Sequence, residues 1–250
     1  MIELKNITKR FQVYDEVISE NCEQTRDGYF YALEDISLTI NDGSCTIIAG
    51  ANGSGKSVLM SIIANLEEPS SGTVKTKSKV GLIFQEPDAQ ILGETPKEDI
   101  SFGPRNLKLS KNEIQNRVNK TLIETGLEHR ANFPARSLSG GEKRRLAAAS
   151  ILVMDAQIII FDEPYANMDF HGVVQVNHLL KKLITEGKTV IILTHELEKC
   201  MALANNFIVL FKGKKVFDGT AQEALLQNLE NWGIHHPLQK SADSLEDLLW

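Results

Sequence analysis

Apolar residues follow two different periods along this chain, and the alternation of the two predicts an α/β fold. Near the N-terminus, Ile2–Ile7 and Ala32–Ile40 alternate between apolar and polar positions, which is typical of strands with one buried face. Farther along, Ile158–Phe161 and Thr189–Leu193 are almost entirely apolar, as expected for parallel strands buried on both faces. Strands that alternate with helices favour a largely parallel sheet.

Apolar residues at helical spacing fill most of the intervening segments. The predicted helices are Val58–Leu66, Thr95 to about Ile123, Glu142 to about Val153, His171–Glu186, Glu196–Ala204 and Thr220 to about Leu229. We expect Gly103-Pro104 to divide the second of these, and Ser110 with Glu113 to form a capping box in it. This stretch should form a helical subdomain, at about residues 88–155, inserted into the α/β core.

Turn residues and polar stretches mark the connections. Lys212-Gly213 separates two short apolar runs and predicts a hairpin. Residues 15–30 are polar and rich in Glu, which indicates an exposed loop or an excursion of a β-hairpin. Residues 1–230 therefore form the main domain in this interpretation, and residues 231–250 a short C-terminal extension.

Composition limits the classes of partner. The 250-residue chain has a formal net charge of −6, which argues against a nucleic-acid partner because such a partner favours a basic face. Lys143-Arg144-Arg145 is a local exception, which we interpret as a solvated or subunit-contacting face. No apolar run reaches the roughly 20 residues that span a bilayer, so we expect membrane contact only through partner proteins. Cys22, Cys45 and Cys200 are odd in number and far apart, which favours reduced thiols in the cytoplasm.

The segment Gly50-Ala51-Asn52-Gly53-Ser54-Gly55-Lys56-Ser57 fits the pattern G-x-x-x-x-G-K-[ST]. A β-prone run precedes it and a helical run follows it, so the glycines lie between a strand and a helix start. Such a loop directs successive backbone N–H groups at a phosphate, and the helix N-terminus adds partial positive charge. Lys56 would then reach the β- and γ-phosphates, and the Ser57 hydroxyl would bind Mg²⁺. The alternative is a chance glycine-rich turn, which the strand and helix on either side disfavour.

Two acids follow a predicted buried strand. Asp162 stands at its carboxyl end, where a carboxylate beside a phosphate loop can hold Mg²⁺. Glu163, one residue later, could polarise the water that attacks the γ-phosphate. The alternative for both is an acidic strand cap.

Three other features are weaker individually. Ser139-Gly140-Gly141-Glu142 opens a helix and could form a second anion-binding N-terminus, although a plain helix cap is the commoner use of such residues. Gln85 could bind Mg²⁺ or the water, or be an ordinary surface residue. His195 could donate to the γ-phosphate and orient the nucleophile, or be structural.

Taken together and in order, these segments resemble the ATPase subunits of ABC transporters. The octet at 50–57, Gln85, Leu138–Glu142, Ile158–Glu163, Ala166–Asp169 and His195 are similar to that family's phosphate loop, Q-loop, signature motif, magnesium strand, D-loop and switch histidine. The resemblance implies a P-loop NTPase core with a largely parallel sheet, an N-terminal antiparallel β subdomain and an inserted α-helical subdomain. It implies ATP and Mg²⁺ as ligands, and two ATPase subunits that enclose ATP between each phosphate loop and the other subunit's Ser139–Glu142.

The resemblance also assigns roles to individual residues. Catalysis would depend on Glu163, His195 and Gln85, and Mg²⁺ on Ser57, Gln85 and Asp162. The nucleotide would contact Phe11, which would stack on adenine, and the residues Asn52, Gly53, Ser54, Gly55, Lys56, Ser57, Val58, Ser139, Gly140, Gly141 and Glu142.

Phe84–Gln90 and Glu98–Leu107 further resemble the ATPases of energy-coupling factor (ECF) importers, which take up vitamins and transition-metal ions. The implied function is ATP hydrolysis that drives uptake through separate transmembrane subunits, at the cytoplasmic face of the cell membrane. The second ATPase subunit would be an identical copy or a paralogue. The alternatives are an ABC ATPase of another importer or exporter class, a soluble ABC-type ATPase acting on nucleic acid or ribosomes, and a module that binds ATP without hydrolysing it.

Some positions depart from the family pattern. Glu142 ends the signature where Gln is commoner, and Tyr165 replaces the usual Thr or Ser after Glu-Pro. Asn167-Met168 replace a small residue and Leu. We expect Tyr165 and Asn167-Met168 to lie at the contact between the two ATPase subunits.

Overall fold

The computed structural model describes residues 1–13 and 23–238. Ten strands and six α-helices are present in this part of the chain. The strands are β1 (Ile2–Gln12), β2 (Thr25–Arg26), β3 (Tyr29–Ile40), β4 (Cys45–Ala49), β5 (Ser71–Thr76), β6 (Val80–Ile83), β7 (Ile158–Asp162), β8 (Thr189–Thr194), β9 (Asn206–Phe211) and β10 (Lys214–Gly219). The helices are α1 (Lys56–Ile63), α2 (Pro96–Asn106), α3 (Lys111–Glu124), α4 (Gly140–Leu152), α5 (Phe170–Thr185) and α6 (Ala221–Ala224).

The central sheet has six strands in the order β10-β9-β4-β8-β7-β6. All neighbours are parallel except the hairpin of β9 and β10. β4, β7 and β8 are buried at every position, as their apolar sequences predict. The carboxyl ends of these three strands meet at one edge of the sheet, and the chain that follows each of them supplies a predicted site residue.

A second sheet is antiparallel, in the order β2-β3-β1-β5. Its apolar residues, such as Ile2, Leu4 and Ile36, join residues of α1 in one buried cluster that covers one face of the central sheet. The other face packs against α5 through Val176, Leu180 and Leu183. The predicted α/β fold with its antiparallel β subdomain is therefore confirmed.

Helices α2, α3 and α4 have a hydrophobic cluster of their own, which includes Ile100, Val118, Leu122 and Leu146. The helical subdomain touches the central sheet where α4 crosses the edge strand β6. At this crossing, a Cβ added to Gly81 would lie 2.2 Å from Ile151 Cγ2. Only a residue without a side chain allows α4 to lie this close to the strand.

Three predicted boundaries were wrong. Gly103-Pro104 does not divide the helical stretch, because α2 continues to Asn106 and the break comes before Ser110. Gly103 serves packing instead, since an added Cβ would lie 2.2 Å from Met154 Sδ. Ser110 does cap α3, accepting a hydrogen bond from the Glu113 amide at 3.3 Å. The other half of the predicted capping box is missing among the described residues, and Arg117 instead donates to Glu113 Oε1 at 2.8 Å.

The other two wrong boundaries lie in the last third of the chain. The segment 196–204 is two short 3-10 turns, Leu197–Lys199 and Met201–Leu203, because Cys200 leaves the helical region with ψ near −10° at φ −143°. The helix capped by Thr220 ends at Ala224 rather than near Leu229. Cys45 and Cys200 are buried free thiols. Residues 15–22 of the 15–30 excursion, which include Cys22, and residues 239–250 of the extension lie outside the described residues.

Candidate active site

The phosphate loop connects β4 to α1 and is shaped by its glycines. Gly53 and Gly55 have φ of 78° and 102°, in the left-handed region that glycine adopts without strain. At Gly55 a Cβ would also lie 2.6 Å from the carbonyl oxygen of Ala32. The loop therefore requires glycine at this position both for its backbone conformation and for its contact with β3.

The N-terminus of α1 differs from the other helix starts in the described part of the chain. The five other α-helices are each capped by a side-chain oxygen, whereas Gly55 supplies no side-chain cap to α1. The first N–H groups of a helix have no acceptor within it and attract an anion. The sequence thus leaves donors open at the one helix that follows the phosphate loop.

Lys56 is the first residue of α1, and its side chain folds back over the loop. Its Nζ donates to the carbonyl oxygens of Gly50 at 2.6 Å and Ala51 at 3.2 Å. The ammonium also lies 3.7 Å from Glu163 Oε1, and the residue is only 6% exposed. Burial lowers the pKa of Lys56, while the charges of Glu163 and Asp162 oppose that shift.

The two acids lie at the end of β7. Asp162 is the last residue of the strand, and burial, reinforced by the nearby charge of Glu163, raises its pKa. Glu163 follows with φ of 43°, an unusual left-handed conformation for a residue with a side chain. Its amide donates to the Leu193 carbonyl oxygen at 2.8 Å, so the end of β8 helps to hold this turn.

His195 lies directly after β8, and its side chain is about half exposed, at 51%. Its Nδ1 is 3.0 Å from Glu163 Oε1. A carboxylate only accepts hydrogen bonds, so the geometry favours a proton on Nδ1 and leaves Nε2 for another partner. Glu163 is therefore placed between a cation, Lys56, and a half-exposed imidazole.

The phosphate loop, Lys56 and the two acids surround a cavity of about 230 Å³. Its lining includes the loop residues Asn52–Val58 together with Gln85, Asp162 and Glu163. Within it, Ser54 Oγ and Glu163 Oε2 are buried without a hydrogen-bond partner in the part of the chain that the structure describes. Two carboxylates and one ammonium leave a net negative cluster that suits a divalent cation, and the glycine loop suits a phosphate. The residues present thus fit a Mg²⁺–triphosphate group.

Ser139–Glu142 lie elsewhere, lining a second cavity of about 690 Å³ together with Ala166–Asp169 and Gln85. Ser139 and Glu142 form a capping box: the Ser139 hydroxyl accepts from the Glu142 amide, and the Glu142 carboxylate accepts from the Ser139 amide at 2.8 Å. That amide and Arg130, at 2.9 Å, hold the pKa of Glu142 below its usual value. Within one chain, this helix start does not join the cavity of the phosphate loop.

Comparison with known proteins identifies the family. The model of the ABC transporter family matches residues 33–166, which is more than half of the chain. That span includes the phosphate loop, Gln85, Ser139–Glu142, Asp162 and Glu163. The chain belongs to the ABC transporter family.

Relatives agree with this assignment. An energy-coupling factor transporter ATP-binding protein of Thermotoga maritima, EcfA2, is 39% identical over 207 residues, covering 78% of this ABC ATPase and 77% of the relative. The EcfA2 of Methanospirillum hungatei is 38% identical over 208 residues, and the chain spans only about half of it, 52%.

Solved structures give the same fold. CbiO1 of Clostridium perfringens, described as part of the ABC transporter complex cbiONQ, superposes with a TM-score of 0.77 at 32% identity and covers 90% of each chain. A dimeric ATP-binding cassette in a post-hydrolysis state, bound to ADP and Pi, superposes with a TM-score of 0.75 at 28% identity, covering 88% of this chain and 99% of that one. The protein is an ATPase of this family, and ATP is its nucleotide. Within the residues that the structure describes, no helix combines the length and the apolar character needed to cross a membrane.

One aromatic neighbour of the phosphate site in this ABC ATPase was not predicted from the sequence. This residue is Phe30, which lines the phosphate-loop cavity. Phe11 pairs with Phe30 across β1 and β3 and is 42% exposed, with the Lys9 ammonium 5.1 Å from its ring centre. The role of Phe11 in stacking on adenine remains a prediction. The register between β1 and β3 could not be predicted from the sequence, because the long connection between the two strands does not define which residues pair.

Tyr165 corrects an expectation. It does not lie at a subunit contact: its side chain is fully buried, and its hydroxyl donates to Asn177 Oδ1 at 2.7 Å. Asn177 in turn donates to the Lys199 carbonyl oxygen at 2.8 Å. The larger residue thus extends from the turn after Glu163 into the core, where burial raises the pKa of its hydroxyl. Asn167 and Met168, by contrast, line the second cavity.

Proposed function

We propose that this ABC ATPase is one of two ATPase subunits of an ECF-type importer. It would couple ATP hydrolysis to the uptake of a micronutrient, a vitamin or a transition-metal ion, through separate transmembrane subunits. The subunit would be held at the cytoplasmic face of the membrane by those partners. The proposal depends on one observation above all: the two glycine-bearing helix starts of one chain lie in different cavities.

The glycines of the second helix start support an external occupant. A Cβ added to Gly140 meets nothing within 4 Å, and one added to Gly141 meets only Arg145 Nη1 at 3.9 Å. Neither glycine has a positive φ. Glycine destabilises a helix relative to alanine, so contacts within the chain do not account for two of them here. The need for space for a second subunit and its nucleotide would account for both glycines.

The chemistry of this helix start suits a phosphate. The amides of Gly140 and Gly141 are at the first positions of α4, where no acceptor exists within the helix. The helix dipole favours an anion at this end. A triphosphate held by the phosphate loop of one subunit would therefore receive donors from α4 of the other.

The chain's own residues then divide the work of hydrolysis. Bound Mg²⁺, with Ser57, Gln85 and Asp162 as its proposed ligands, would neutralise charge on the phosphates. Lys56 would exchange its loop carbonyls for phosphate oxygens. Glu163 would accept a proton from the attacking water, and His195 would hold Glu163 through Nδ1 while Nε2 remains open to the γ-phosphate.

The ECF assignment and the partners come from relatives. EcfA2 of Thermotoga maritima is named as the ATP-binding protein of an energy-coupling factor transporter. CbiO1 of Clostridium perfringens is described as part of a multi-subunit transporter complex. By analogy, we assign to this chain membrane subunits that carry the solute and a second ATPase that is identical or paralogous.

The test is purification of the tagged full-length chain from its own organism, followed by reconstitution of the co-purified proteins in vesicles. We expect integral membrane proteins to co-purify and the vesicles to take up a vitamin or metal ion only with ATP. Ser139→Arg should abolish uptake and hydrolysis while ATP binding to the single subunit persists. Co-purification of ribosomes or nucleic acid without a membrane protein would contradict the proposal.

A further inference from the structure

Arg144 joins three parts of the molecule that the reaction needs. It lies in the second turn of α4, the helix that begins at Ser139. Its Nη1 donates to the carbonyl oxygens of Ala166 at 2.7 Å and Pro164 at 3.3 Å. Its Nη2 donates to the carbonyl oxygen of Gln85 at 2.9 Å. One guanidinium on the helical subdomain thus contacts two separate loops of the core.

Both loops carry residues of the active site. Pro164 and Ala166 form the tight turn directly after Glu163, in which the Ala166 amide donates to the Glu163 carbonyl oxygen at 3.2 Å. Gln85 itself lines both the phosphate-loop cavity and the cavity of the helix start. A guanidinium is planar and presents its donors at fixed angles. Holding carbonyls of both loops therefore fixes the position of one loop relative to the other.

The adjacent basic residues of α4 make contacts of a different kind. Lys143 forms an ion pair with Asp88 at 2.7 Å, and Arg145 donates to Gln175 Oε1 at 2.5 Å. Both of those partners are side chains, which can follow a moving helix. Arg144 alone of the three donates to backbone carbonyls, so its contacts act on the course of the main chain.

The environment of Arg144 does not suggest a simple stabilising role. Among residues 1–13 and 23–238, its hydrogen bonds reach no carboxylate, and its Nε is buried without a partner. Burial lowers the pKa of the guanidinium, with only the nearby charge of Glu196 opposing this shift. A partly desolvated cation without an ion pair is weak evidence for a contribution to stability. Arg144 also borders cavities of about 460 and 690 Å³, so water could reach the same carbonyls if the side chain were shorter.

We propose that Arg144 is a positioning residue for ATP hydrolysis, holding the turn that carries Glu163 and the Gln85 loop in register with α4. Any displacement of α4 relative to the core moves both loops together. Arg144 therefore ties the general base and the Gln85 loop of one site to the helix whose N-terminus we assign to the nucleotide of the partner subunit. The last step depends on the proposed function, but the positioning itself depends only on the ATPase activity.

The experiment compares Arg144→Gln and Arg144→Lys with wild type and with Arg117→Gln. Arg117 is a matched control because it lies on α3 and forms only an i,i+4 ion pair with Glu113 at 2.8 Å. The full-length chain is assayed for kcat and KM with MgATP, for ATP affinity by equilibrium binding, and for backbone amide exchange. Arg144→Lys keeps the positive charge but loses the planar pair of donors, and it replaces Arg144→Gln as the test if that variant does not fold.

We expect kcat to fall by about 10- to 100-fold in both Arg144 variants, as for a misplaced catalytic group. KM and ATP affinity should stay within about threefold of wild type, which is the pattern for a loss confined to the reacting state. Amide exchange should quicken at residues 84–86 and 164–168 and stay unchanged at residues 50–58. The Arg117→Gln variant should match wild type in all readouts.

Unchanged exchange in the two loops would overturn the proposal, as would wild-type kcat or an equal loss of ATP affinity and turnover. Exchange and binding are measured without turnover, so they decide the role of Arg144 even if the chain hydrolyses ATP only with a partner. Uptake through membrane subunits is not measured here. A failure of the importer assignment would therefore leave this result intact.

Discussion

Glu163, just after β7, lies between Lys56 at the start of α1 and His195 directly after β8. Glu163 Oε1 is within 3.0 Å of His195 Nδ1 and 3.7 Å of Lys56 Nζ. One carboxylate oxygen therefore faces the ammonium and the imidazole, while the other, Oε2, has no hydrogen-bond partner among the described residues. This arrangement holds a base in place and keeps one oxygen available for water.

Replacing Glu163 by Gln tests that role. We expect ATP affinity to be retained and hydrolysis to slow by about 10²- to 10⁴-fold, because the amide cannot accept the proton. Single-turnover hydrolysis with MgATP measures the effect. Glu198→Gln, at an exposed position three residues beyond His195, is the control and should keep wild-type turnover. If Glu163→Gln hydrolysed ATP at the wild-type rate, another group would be the base.

Lys56→Ala should act at the earlier step of binding. Removing a buried ammonium that is held over the loop takes away a charge-assisted contact to phosphate, worth about 1.5–3 kcal/mol or roughly 10- to 150-fold in Kd. Equilibrium binding of ATP measures it, with the exposed Lys75→Ala as the control. Unchanged ATP affinity in Lys56→Ala would refute the assignment of the phosphate loop.

Tyr165 shows where residue-scale prediction from the sequence ends. The acids, Lys56 and the glycine loop were predicted because their chemistry depends on local order along the chain. The burial of Tyr165 depends on Asn177 and Lys199, which are distant in sequence and have no recognisable motif. Arg144 was interpreted as part of a solvated or subunit-contacting face for the same reason: its acceptors are backbone carbonyls, which any residue type supplies.

Tyr165→Phe should lower the free energy of unfolding by about 1–3 kcal/mol, because Asn177 Oδ1 loses its donor inside the core. Urea unfolding followed by fluorescence or circular dichroism gives the value. Tyr31→Phe is a suitable control, since the Tyr31 hydroxyl makes a long contact of 3.4 Å with Arg10 at an exposed site, and its effect should stay within about 0.5 kcal/mol. Equal stability of Tyr165→Phe and wild type would mean that the buried hydrogen bond contributes nothing.

At the scale of elements, the two glycine-bearing helix starts use glycine for different reasons. Gly55 is required by its own chain, through a positive φ and a close contact with Ala32. Gly140 is not, because the space around its Cβ position is open. This contrast could not be read from the sequence, in which both positions are simply glycine before a helix.

The contrast predicts opposite results for alanine at the two sites. Gly140→Ala should leave the free energy of unfolding unchanged or slightly higher, since alanine favours a helix. It should nevertheless lower the rate of ATP hydrolysis by at least about tenfold, because the added methyl group would keep the partner's phosphate away from the amide donors of α4. Gly55→Ala should destabilise the fold and abolish ATP binding. Unfolding curves and hydrolysis rates on the two variants distinguish them. Full activity in Gly140→Ala would remove the argument that something outside the chain occupies that space.

At the scale of the whole molecule, the shared active site that we propose requires two subunits. We expect the Glu163→Gln protein to double in mass by analytical ultracentrifugation when MgATP is added, alone or with its paralogue. Lys56→Ala in the same background should remain a single subunit because it does not bind the nucleotide. Ser139→Arg should also remain a single subunit because the larger side chain blocks the interface. A nucleotide-bound Glu163→Gln protein that stays single, even with its partner supplied, would contradict the shared site.

The largely parallel sheet and the helical subdomain were predicted from the sequence because buried parallel strands and amphipathic helices have distinct hydrophobic periods; the order of the strands in the sheet was not predicted. Boundaries were less predictable. Gly103-Pro104 was interpreted as a break, but α2 continues to Asn106, and Gly103 packs against Met154 in the turn after α4. Tertiary packing overrode a local signal there, and no pattern within the segment reports it.

The close crossing of α4 over β6 has a mechanical consequence. Because Gly81 has no side chain, the helix rests directly on the strand through Ile151. A single methyl group at position 81 would clash with Ile151 and tilt α4. The tilt would displace Ser139 at the N-terminus of the helix and Arg144 near its middle. The absence of a side chain at Gly81 thus sets the orientation of α4, the helix through which the two subunits would contact each other's nucleotide.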